Sequence, residues 1–442
     1  MRPRVSPRLD RYAATLFPDE SERRAFCRAL TEGVTREQAI VVLDSRPEIG
    51  AFPRRPALDW QPEFVVRLAD DFRPGRHPLH EKGAYYVLDL SSVFAATPLV
   101  HLPRLPDRIL DVCAAPGGKS VFAWRALLSQ RSDLSRSPDD DGNVALLANE
   151  TIRKRTGTLI ANFERCRIAG SAVGSADPSV WSRRCPAAFD LVMVDAPCSG
   201  QSLLAKGEEA PGCFQPAMID MNVGRQRRIV GHSARCLRPG GFLLYMTCTF
   251  SKKENEGVVE WLLRQYPNLE CVATPALAAF QSPYAEFPCY RLFPQSGLGA
   301  GAFSALLRLP EDSEPIVGPS ETDSEPVGFQ SDSESGEAPA GSRFAIRPDR
   351  LDRSRWEPRP NDPVPADARF DPPVFWRYGA ERADRTPTDA GARPVAAPSA
   401  GSDAPAAAGS ERGRSAGKGR RTASRPKRAG RRGRGGSGRG RR

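Results

Sequence analysis

Between residues 91 and 310, short apolar runs alternate with helix-like stretches, and this alternation restricts the fold more than any other feature of the chain. Strands that alternate with helices in this way belong to α/β proteins. The order predicts a doubly wound, mostly parallel sheet with helices on both faces. The predicted strands are 108–113, 144–149, 172–175, 189–194, 241–247 and 302–309, and the predicted helices are 119–128, 153–166, 221–237 and 253–265.

The chain outside this region divides by composition. Residues 1–90 are predicted to form a small N-terminal, mainly helical, RNA-binding domain, in which residues 35–38 fit a capping box ahead of an apolar stretch. From residue 311 the chain is rich in Ser, Glu, Asp and Pro, and later in Ala, Pro, Gly and Arg. Such segments bury too little apolar area to offset the entropy of ordering them, so 311–442 is predicted to be a largely disordered tail. Its aromatic-containing part, 344–378, should pack weakly on the body or not at all.

Charge is distributed unevenly along the chain. The net charge is +11; residues 411–442 contribute +13 and residues 1–310 contribute +6, whereas 311–338 hold nine acids and no Lys or Arg. A mildly basic body with a strongly basic tail suits a nucleic-acid partner, although a charge run can also be only a solubilising tail. Residues 411–442 have no aromatic residue to stack on bases, so this basic segment should follow phosphates without selecting a sequence.

Cysteine usage indicates the compartment. The ten cysteines are spread singly between Cys27 and Cys289, and the sequence contains neither an apolar signal stretch nor a membrane-spanning run. Unpaired cysteines without a secretion signal favour a reducing environment. We therefore expect a soluble cytoplasmic protein that does not associate with a membrane and acts as a monomer.

The run ILDVCAAPGGKS at residues 109–120 predicts a strand, a turn of small residues and the start of a helix. Small residues let a ligand approach the backbone closely, and a helix N-terminus favours a carboxylate or a phosphate. A phosphate-binding loop is one alternative, because residues 118–120 fit its end and Asp195 could bind its Mg²⁺. Cys113 occupies the position of its first glycine, however, and Pro116 stiffens its middle. A simple strand–helix turn is the other alternative.

Two carboxylates favour an adenosine ligand over these alternatives. Glu150 ends the second predicted strand, where a carboxylate can accept hydrogen bonds from the two ribose hydroxyls. Asp177 follows the third strand, where an acid can receive the adenine amino group. Either residue alone could be an ordinary solvated loop residue, and residues 130–143 are interpreted as a surface insertion. The three sites in strand order predict an adenosine cofactor with a charged amino-acid end, which describes S-adenosylmethionine.

Two cysteines follow neighbouring predicted strands. Cys198 lies in DAPCSG at the exit of the fourth strand, and Cys248 lies in TC at the end of the fifth. Because neighbouring strands of a doubly wound sheet deliver their carboxyl ends to one crevice, both thiols should face the same pocket. The other interpretation, that a cysteine is a small core residue, suits Cys166, Cys236 and Cys271 better.

The motifs together resemble a known family. Residues 111–120, 195–200 and 247–248, with ENE at 254–256, look like the signature blocks of the Nop/Sun RNA cytosine-C5 methyltransferases. The resemblance also includes stretches near residues 83–92 and 291–303, and it spans roughly residues 80–310. It implies a Rossmann-like class I methyltransferase fold of the kind found in bacterial rRNA methyltransferases.

This sequence departs from the family pattern at three places. The usual Gln-Asp/Glu-Ala before Ser91 is Leu-Asp-Leu at 88–90, Gln295 stands where a His is frequent, and Met246 stands where a Ser is frequent. These departures bear on the choice of substrate more than on the chemistry.

The resemblance implies a role for each site residue. Cys248 is the nucleophile that adds to carbon 6 of cytosine and makes carbon 5 reactive, and Asp195 hydrogen-bonds the base and helps to protonate N3. Cys198 assists proton removal and product release. No metal ion is expected. The cofactor is held by Cys113, Ala114, Ala115, Pro116, Gly117, Gly118, Lys119, Glu150, Asp177 and Asp195.

The substrate remains open between several classes. Ribosomal RNA is favoured over transfer RNA, because the part before residue 90 resembles bacterial small-subunit enzymes. A catalytically inactive RNA-binding ribosome-assembly factor is a further alternative, although both cysteines and all cofactor carboxylates are present. A DNA cytosine methyltransferase is disfavoured, because that family carries its nucleophile in a Pro-Cys block and lacks the Thr-Cys block.

Overall fold

The computed structural model describes residues 6–33, 37–129, 145–317 and 370–379. The strands are β1 (Gln38–Val42), β2 (Val65–Arg67), β3 (Tyr85–Asp89), β4 (Ile109–Asp111), β5 (Leu146–Asn149), β6 (Ser171–Gly174), β7 (Phe189–Asp195), β8 (Leu237–Thr247), β9 (Glu270–Val272), β10 (Tyr290–Leu292), β11 (Ala302–Arg308) and β12 (Val374–Arg377). The α-helices are α1 (Pro7–Leu16), α2 (Glu20–Glu32), α3 (Pro47–Gly50), α4 (Pro78–Glu81), α5 (Leu90–Ala96), α6 (Gly118–Ala123), α7 (Arg153–Cys166), α8 (Pro178–Arg184), α9 (Ser202–Ala205), α10 (Pro216–Arg235) and α11 (Glu256–Gln265). A π-helical turn, Trp124–Leu128, continues α6, and 3₁₀ turns lie at Pro74–Arg76, Thr97–His101, Pro275–Phe280 and Pro294–Ser296.

The main sheet has the strand order β10-β11-β8-β7-β4-β5-β6-β12, and β9 pairs with β11. The five strands from β8 to β6 are parallel, whereas β9, β10, β11 and β12 pair antiparallel with their neighbours. This topology confirms the predicted doubly wound, mostly parallel sheet. Each predicted strand lies within two or three residues of an observed one, except that β8 begins earlier, at Leu237.

Hydrophobic residues cover both faces of the sheet. Ile109 and Leu191 belong to a cluster on one face, and Leu110 and Val192 belong to a second cluster on the other. Adjacent strand residues point to opposite faces, so continuous apolar runs such as 191–194 bury side chains on both sides. The helices that follow the strands supply the outer layers of these two cores.

The N-terminal region begins with helices, as predicted, but it continues as a small sheet that was not predicted. Helices α1 and α2 begin at the capping side chains of Ser6 and Asp19, but an antiparallel sheet of order β2-β1-β3 follows. Part of the predicted capping box, residues 35 and 36, lies outside the described residues, and Glu37 pairs with Arg67 instead of capping a helix. The run AIVV at 39–42 forms a strand because its β-branched residues favour extended backbone and Ile40 is fully buried.

The C-terminal segment differs from the prediction that residues 344–378 pack weakly on the body or not at all. Residues 370–379 lie on the body: β12 pairs antiparallel with β6, and Trp376 contacts the ring of Phe163 at a centroid distance of 6.4 Å. The guanidinium of Arg108 stacks over the ring of Phe370 at 4.3 Å. An edge strand presents unpaired backbone groups, and this segment covers those of β6. Apart from residues 311–317 and 370–379, the predicted disordered tail lies outside the described residues, as does 130–143.

We expect the β12 segment to contribute measurably to stability. Replacing Trp376, which is half-buried against the core, with alanine should lower the free energy of unfolding by about 2–3 kcal/mol. The matched control is Phe375→Ala on the same strand, because that ring is 49% exposed. Its cost should be below about 1 kcal/mol. Denaturant unfolding of both variants measures the difference, and equal effects would mean that β12 does not pack as described.

No helix in the described ranges combines the length and the apolar character that crossing a membrane requires.

Candidate active site

The loop between β4 and α6 forms one wall of the site. It contains Cys113, Ala114, Ala115, Pro116 and Gly117, and it leads into α6 at Gly118 and Lys119. Gly117 has φ +110°, a conformation that disfavours a side chain. A Cβ on Gly118 would lie 2.6 Å from Cδ2 of Leu88, so a larger residue at this position would require the Leu88 side chain on β3 to shift. The predicted strand, turn and helix start are confirmed.

Asp111 lies buried beneath this loop. Its Oδ2 accepts a hydrogen bond from Oγ of Ser120 at 2.6 Å, whereas its Oδ1 has no hydrogen-bond partner in the part of the chain that the structure describes. Burial raises the pKa of Asp111 to about 7, although the hydrogen bond from Ser120 acts in the opposite direction. A buried acceptor atom that lacks a donor can accept a hydrogen bond from a ligand.

The two predicted cofactor carboxylates follow neighbouring strands. The Glu150 side chain, 6% exposed, accepts a hydrogen bond from the backbone N–H of Ile152 at 2.8 Å and pairs with Arg155 at 3.0 Å. Asp177 follows β6, caps α8 and accepts hydrogen bonds from Arg228 at 2.9 Å. Burial alone would raise the pKa of Asp177, but the hydrogen bonds from Ser179 and Arg228 outweigh it and lower this pKa. Both carboxylates therefore lie at the carboxyl ends of parallel strands, as predicted.

The two cysteine motifs meet in the structure. Strands β7 and β8 run side by side with Asp195 opposite Met246, and the backbone N–H of Ala196 donates to the carbonyl of Met246 at 2.9 Å. The Sγ atoms of Cys198 and Cys248 consequently lie 3.3 Å apart. Both thiols are partly exposed. The expectation that they share one pocket agrees with this geometry.

The two thiols differ in acidity. The hydrogen bond between them lowers the pKa of Cys248 and raises that of Cys198, whose pKa burial raises further. Neighbouring charges act on Cys248 in both directions, because the carboxylate of Asp195 raises its pKa and the ammonium of Lys119 lowers it, whereas the carboxylate of Glu254 raises the pKa of Cys198. Cys248 is therefore the thiol that is more easily deprotonated, and the thiolate is the nucleophilic form.

Lys119 and Asp195 join the first loop to the cysteine loops. Nζ of Lys119 donates to Oδ2 of Asp195 at 2.7 Å, and both side chains are largely covered. Burial would lower the pKa of Lys119, but the charge and the hydrogen bond of Asp195 outweigh it and raise this pKa. The pair places a cation and an anion beside the thiols.

A buried carboxylate fixes the loop that carries Cys198. Glu254 accepts hydrogen bonds from the backbone N–H of Ser199 at 2.8 Å and from its Oγ at 2.6 Å. Gln226 donates to Glu254 at 3.1 Å and to the carbonyl of Pro197 at 3.0 Å. Burial raises the pKa of Glu254. These bonds hold residues 197–199 against the loop after β8.

The next two residues hold the loop that carries Cys248. Asn255 accepts from Oγ1 of Thr247 at 2.6 Å and donates to the carbonyl of Thr249 at 2.9 Å. Glu256 forms a buried ion pair with Arg291. In the sequence, ENE at 254–256 contributed only to the family resemblance and predicted no site residue. All three side chains prove to be buried in the structure. The sequence signal that could have revealed their role is the run of three polar residues near the start of a predicted helix.

The region that contains this site is similar to known methyltransferases. Residues 99–308 match the family model described as 16S rRNA methyltransferase RsmB/F. Ribosomal RNA small subunit methyltransferase F of Klebsiella pneumoniae (strain 342) is 32% identical over 262 residues, which are 58% of this chain and 52% of that protein. The protein of the same name from Escherichia coli (strain K12) is 33% identical over 206 residues, 46% of this chain and 40% of that protein. The chain thus spans about half the length of the curated relatives it matches.

Solved structures agree at the level of the fold. NSun6 from Pyrococcus horikoshii with SFG superposes with a TM-score of 0.56 at 19% identity, covering 70% of this chain and 99% of that chain. A methyltransferase homolog protein from Pyrococcus horikoshii gives a TM-score of 0.51 at 19% identity, with 69% and 99% covered. The family match lies with methyltransferases, which argues against the alternative of a nucleotide-hydrolysing phosphate-binding loop. Strand β12 lies beyond the matched residues 99–308.

Proposed function

We propose that the chain, whose residues 99–308 match the family model described as 16S rRNA methyltransferase RsmB/F, methylates carbon 5 of a cytosine in RNA, with S-adenosylmethionine as the methyl donor. The observation that carries the proposal is the pair of thiols, Cys198 and Cys248, with sulfur atoms 3.3 Å apart. Methylation at an unactivated ring carbon needs a covalent nucleophile, and here a second thiol lies within reach of the candidate nucleophile.

The residues at the carboxyl ends of β4, β5 and β6 suit S-adenosylmethionine. The buried Oδ1 of Asp111 offers an acceptor without a donor, and the start of α6 at Gly118 offers backbone N–H groups. Glu150 and Asp177 offer carboxylates for the hydroxyl and amino groups of an adenosine. When bound, the cofactor supplies the electrophilic methyl group. The residues that would hold it are Cys113, Ala114, Ala115, Pro116, Gly117, Gly118, Lys119, Glu150, Asp177 and Asp195.

The thiols and Asp195 account for the activation of the base. The thiolate of Cys248 adds to carbon 6, and the electrons of the carbon 5–carbon 6 double bond make carbon 5 nucleophilic. Asp195, held by Lys119, hydrogen-bonds the ring and helps to protonate N3. After carbon 5 is methylated, it must lose its proton so that the double bond re-forms and the sulfur–carbon bond breaks. Cys198 assists this step and the release of product.

The substrate that we propose is ribosomal RNA. The relatives are named as ribosomal RNA small subunit methyltransferases, and the body of the chain is mildly basic. The target cytosine must leave its stack to enter the pocket. Transfer RNA is the second candidate. An inactive assembly factor is disfavoured, because both thiols and every cofactor carboxylate are present. We further propose a cytoplasmic monomer, since all ten cysteines are free thiols and one chain holds the whole site.

Bisulfite sequencing of total RNA tests the proposed function. Cells that lack the gene should lose the signal for 5-methylcytosine at a discrete position of ribosomal RNA, and the wild-type gene should restore it. Loss in transfer RNA alone would favour the second candidate. If no RNA changes and the purified protein transfers no methyl group to bulk RNA, the proposed activity is wrong.

Cofactor affinity tests the placement of Glu150. Because Glu150→Ala removes a charged acceptor for the ribose hydroxyls, affinity for S-adenosylmethionine should fall about ten- to a hundredfold in calorimetry. Glu164→Ala on α7 is the matched control, since this glutamate is exposed on the helix that follows Glu150, and it should leave affinity unchanged. Unchanged affinity in Glu150→Ala would remove this residue from the proposed cofactor site.

A further inference from the structure

The two thiols of the candidate active site are close enough to react with each other. Sγ of Cys198 and Sγ of Cys248 lie 3.3 Å apart, and both cysteines are partly exposed. The sulfur atoms of a disulfide lie about 2.05 Å apart, so a displacement of roughly 1 Å brings this pair to bonding distance. The proposed methyl-transfer mechanism uses the two thiols separately and forms no bond between them.

The loops that carry the thiols are joined directly beside the sulfur atoms. Oγ of Ser199 and Oγ1 of Thr249, on the residues that follow Cys198 and Cys248, lie 2.7 Å apart. The same two hydroxyl groups donate to the buried carboxylate of Glu254 at 2.6 Å and 3.5 Å. These contacts hold the two loops side by side, so the thiols stay within reach of each other.

Cys248 is the thiol that an oxidant attacks first. Its hydrogen bond with Cys198 outweighs burial and lowers its pKa. The pKa values of the other nine cysteines are raised, that of Cys198 by the same hydrogen bond and the rest by burial. Peroxides react with thiolates, and a partly exposed thiol of low pKa beside a second thiol is the usual arrangement of a redox-sensitive cysteine.

We propose that Cys198 and Cys248 form a reversible disulfide when the protein meets hydrogen peroxide, and that this bond switches methyl transfer off. The loss of activity rests on the proposed function, in which Cys248 is the nucleophile. Formation of the bond does not depend on that function.

The oxidation consists of two displacements. The thiolate of Cys248 attacks one oxygen of the peroxide, so that a sulfur–oxygen bond forms, the oxygen–oxygen bond breaks and hydroxide leaves, which becomes water with the proton that Cys248 released. The thiolate of Cys198 then attacks the resulting sulfenic acid, the sulfur–oxygen bond breaks, and the second hydroxide becomes water with the proton of Cys198. Two thiols lose two electrons and two protons, and the peroxide is reduced to two water molecules. A thiol reductant reverses the bond by exchange.

Peptide mapping after oxidation tests the proposal. The full-length protein is treated with a small excess of hydrogen peroxide, catalase destroys the remainder, and free thiols are blocked with iodoacetamide before digestion with trypsin. Peptides 185–206 and 236–252 should appear as one linked pair, lighter by two hydrogen atoms than the two peptides together, which separates on treatment with dithiothreitol. Methyl transfer to RNA by the same sample should fall at least about tenfold and return after reduction, because a disulfide contains no thiolate.

Single variants assign the bond, because each of these peptides also contains a buried cysteine, Cys185 or Cys236. The linked pair should be absent from Cys248→Ala and from Cys198→Ala, and in the second variant Cys248 should be oxidised further to the sulfinic acid. Cys198→Ser replaces Cys198→Ala if the latter does not fold. The matched control Cys271→Ala removes a partly covered cysteine of β9 and should keep the linked pair.

The outcomes separate this proposal from the proposed function. A wild-type protein without the linked pair, or a pair that persists in Cys198→Ala, overturns the disulfide. A linked pair with unchanged methyl transfer overturns the switch. Since the linkage is measured without RNA, untreated protein that transfers no methyl group contradicts only the proposed function.

Discussion

Cys248→Ala should reduce methyl transfer to RNA by at least about 10³-fold, because without the thiolate carbon 5 of cytosine does not become nucleophilic. Cofactor affinity should remain close to that of the wild type, since Cys248 lies at the end of β8 and the candidate cofactor residues other than Asp195 follow β4, β5 and β6. Transfer of a radiolabelled methyl group to RNA measures the first effect, and calorimetry measures the second.

The matched control for this variant is Cys271→Ala. Cys271 is another partly covered cysteine, and it lies on β9, which pairs with β11 rather than with the strands of the thiol loops. The control should keep its activity. Turnover of Cys248→Ala at the wild-type rate would mean that another group attacks the base, and the assignment of the nucleophile would then be abandoned.

Cys198→Ala should accumulate a covalent protein–RNA adduct that survives denaturing electrophoresis. In this variant Cys248 can still attack carbon 6, but the thiol that assists proton removal and release is missing. The thiol of Cys198 also lowers the pKa of Cys248 through their hydrogen bond, so its loss should raise that pKa. The adduct should therefore form faster at mildly alkaline pH than at neutral pH.

The double variant Cys198→Ala/Cys248→Ala is the control for the adduct. Since the sulfur of Cys248 forms the bond to the base, no adduct should appear when both thiols are absent. An adduct in the double variant would identify a different nucleophile. A Cys198→Ala enzyme that turns over normally without an adduct would instead remove Cys198 from the release step.

The sequence was sufficient to predict the site residues that lie at the end of a strand or in the loop directly after it. Cys198 and Cys248 could be paired from their positions after two neighbouring predicted strands, because parallel neighbours end at the same edge of a sheet. Glu150 and Asp177 followed from the same reasoning. The ion pair between Lys206 and Asp89, with Nζ and Oδ2 3.6 Å apart, could not be predicted. It joins the residue after the short helix α9 to the last residue of β3, which belongs to the other sheet, and no periodic pattern links the two.

Errors in the predicted fold arose where tertiary contacts outweigh local signals. Residues 35–38 have the composition of a helix start, but burial of Ile40 and Val41 between two partner strands favours the extended chain. Strand β12 could not be predicted because prolines surround it, and its stability depends on an edge of β6 that only the assembled sheet provides.

The pairing of β12 with β6 has a consequence for biosynthesis. Val374–Arg377 pairs with Ser171–Gly174, so the sheet receives this strand only after most of the polypeptide has left the ribosome. A domain that begins to fold at its N-terminal end must wait with the backbone groups of β6 exposed on that side. Pairing of such remote segments is slow, and an uncovered strand invites another nascent chain to add to it. Overproduction should therefore favour aggregation of incomplete chains that end before residue 370, and a lower expression level or chaperone binding should reduce this aggregation.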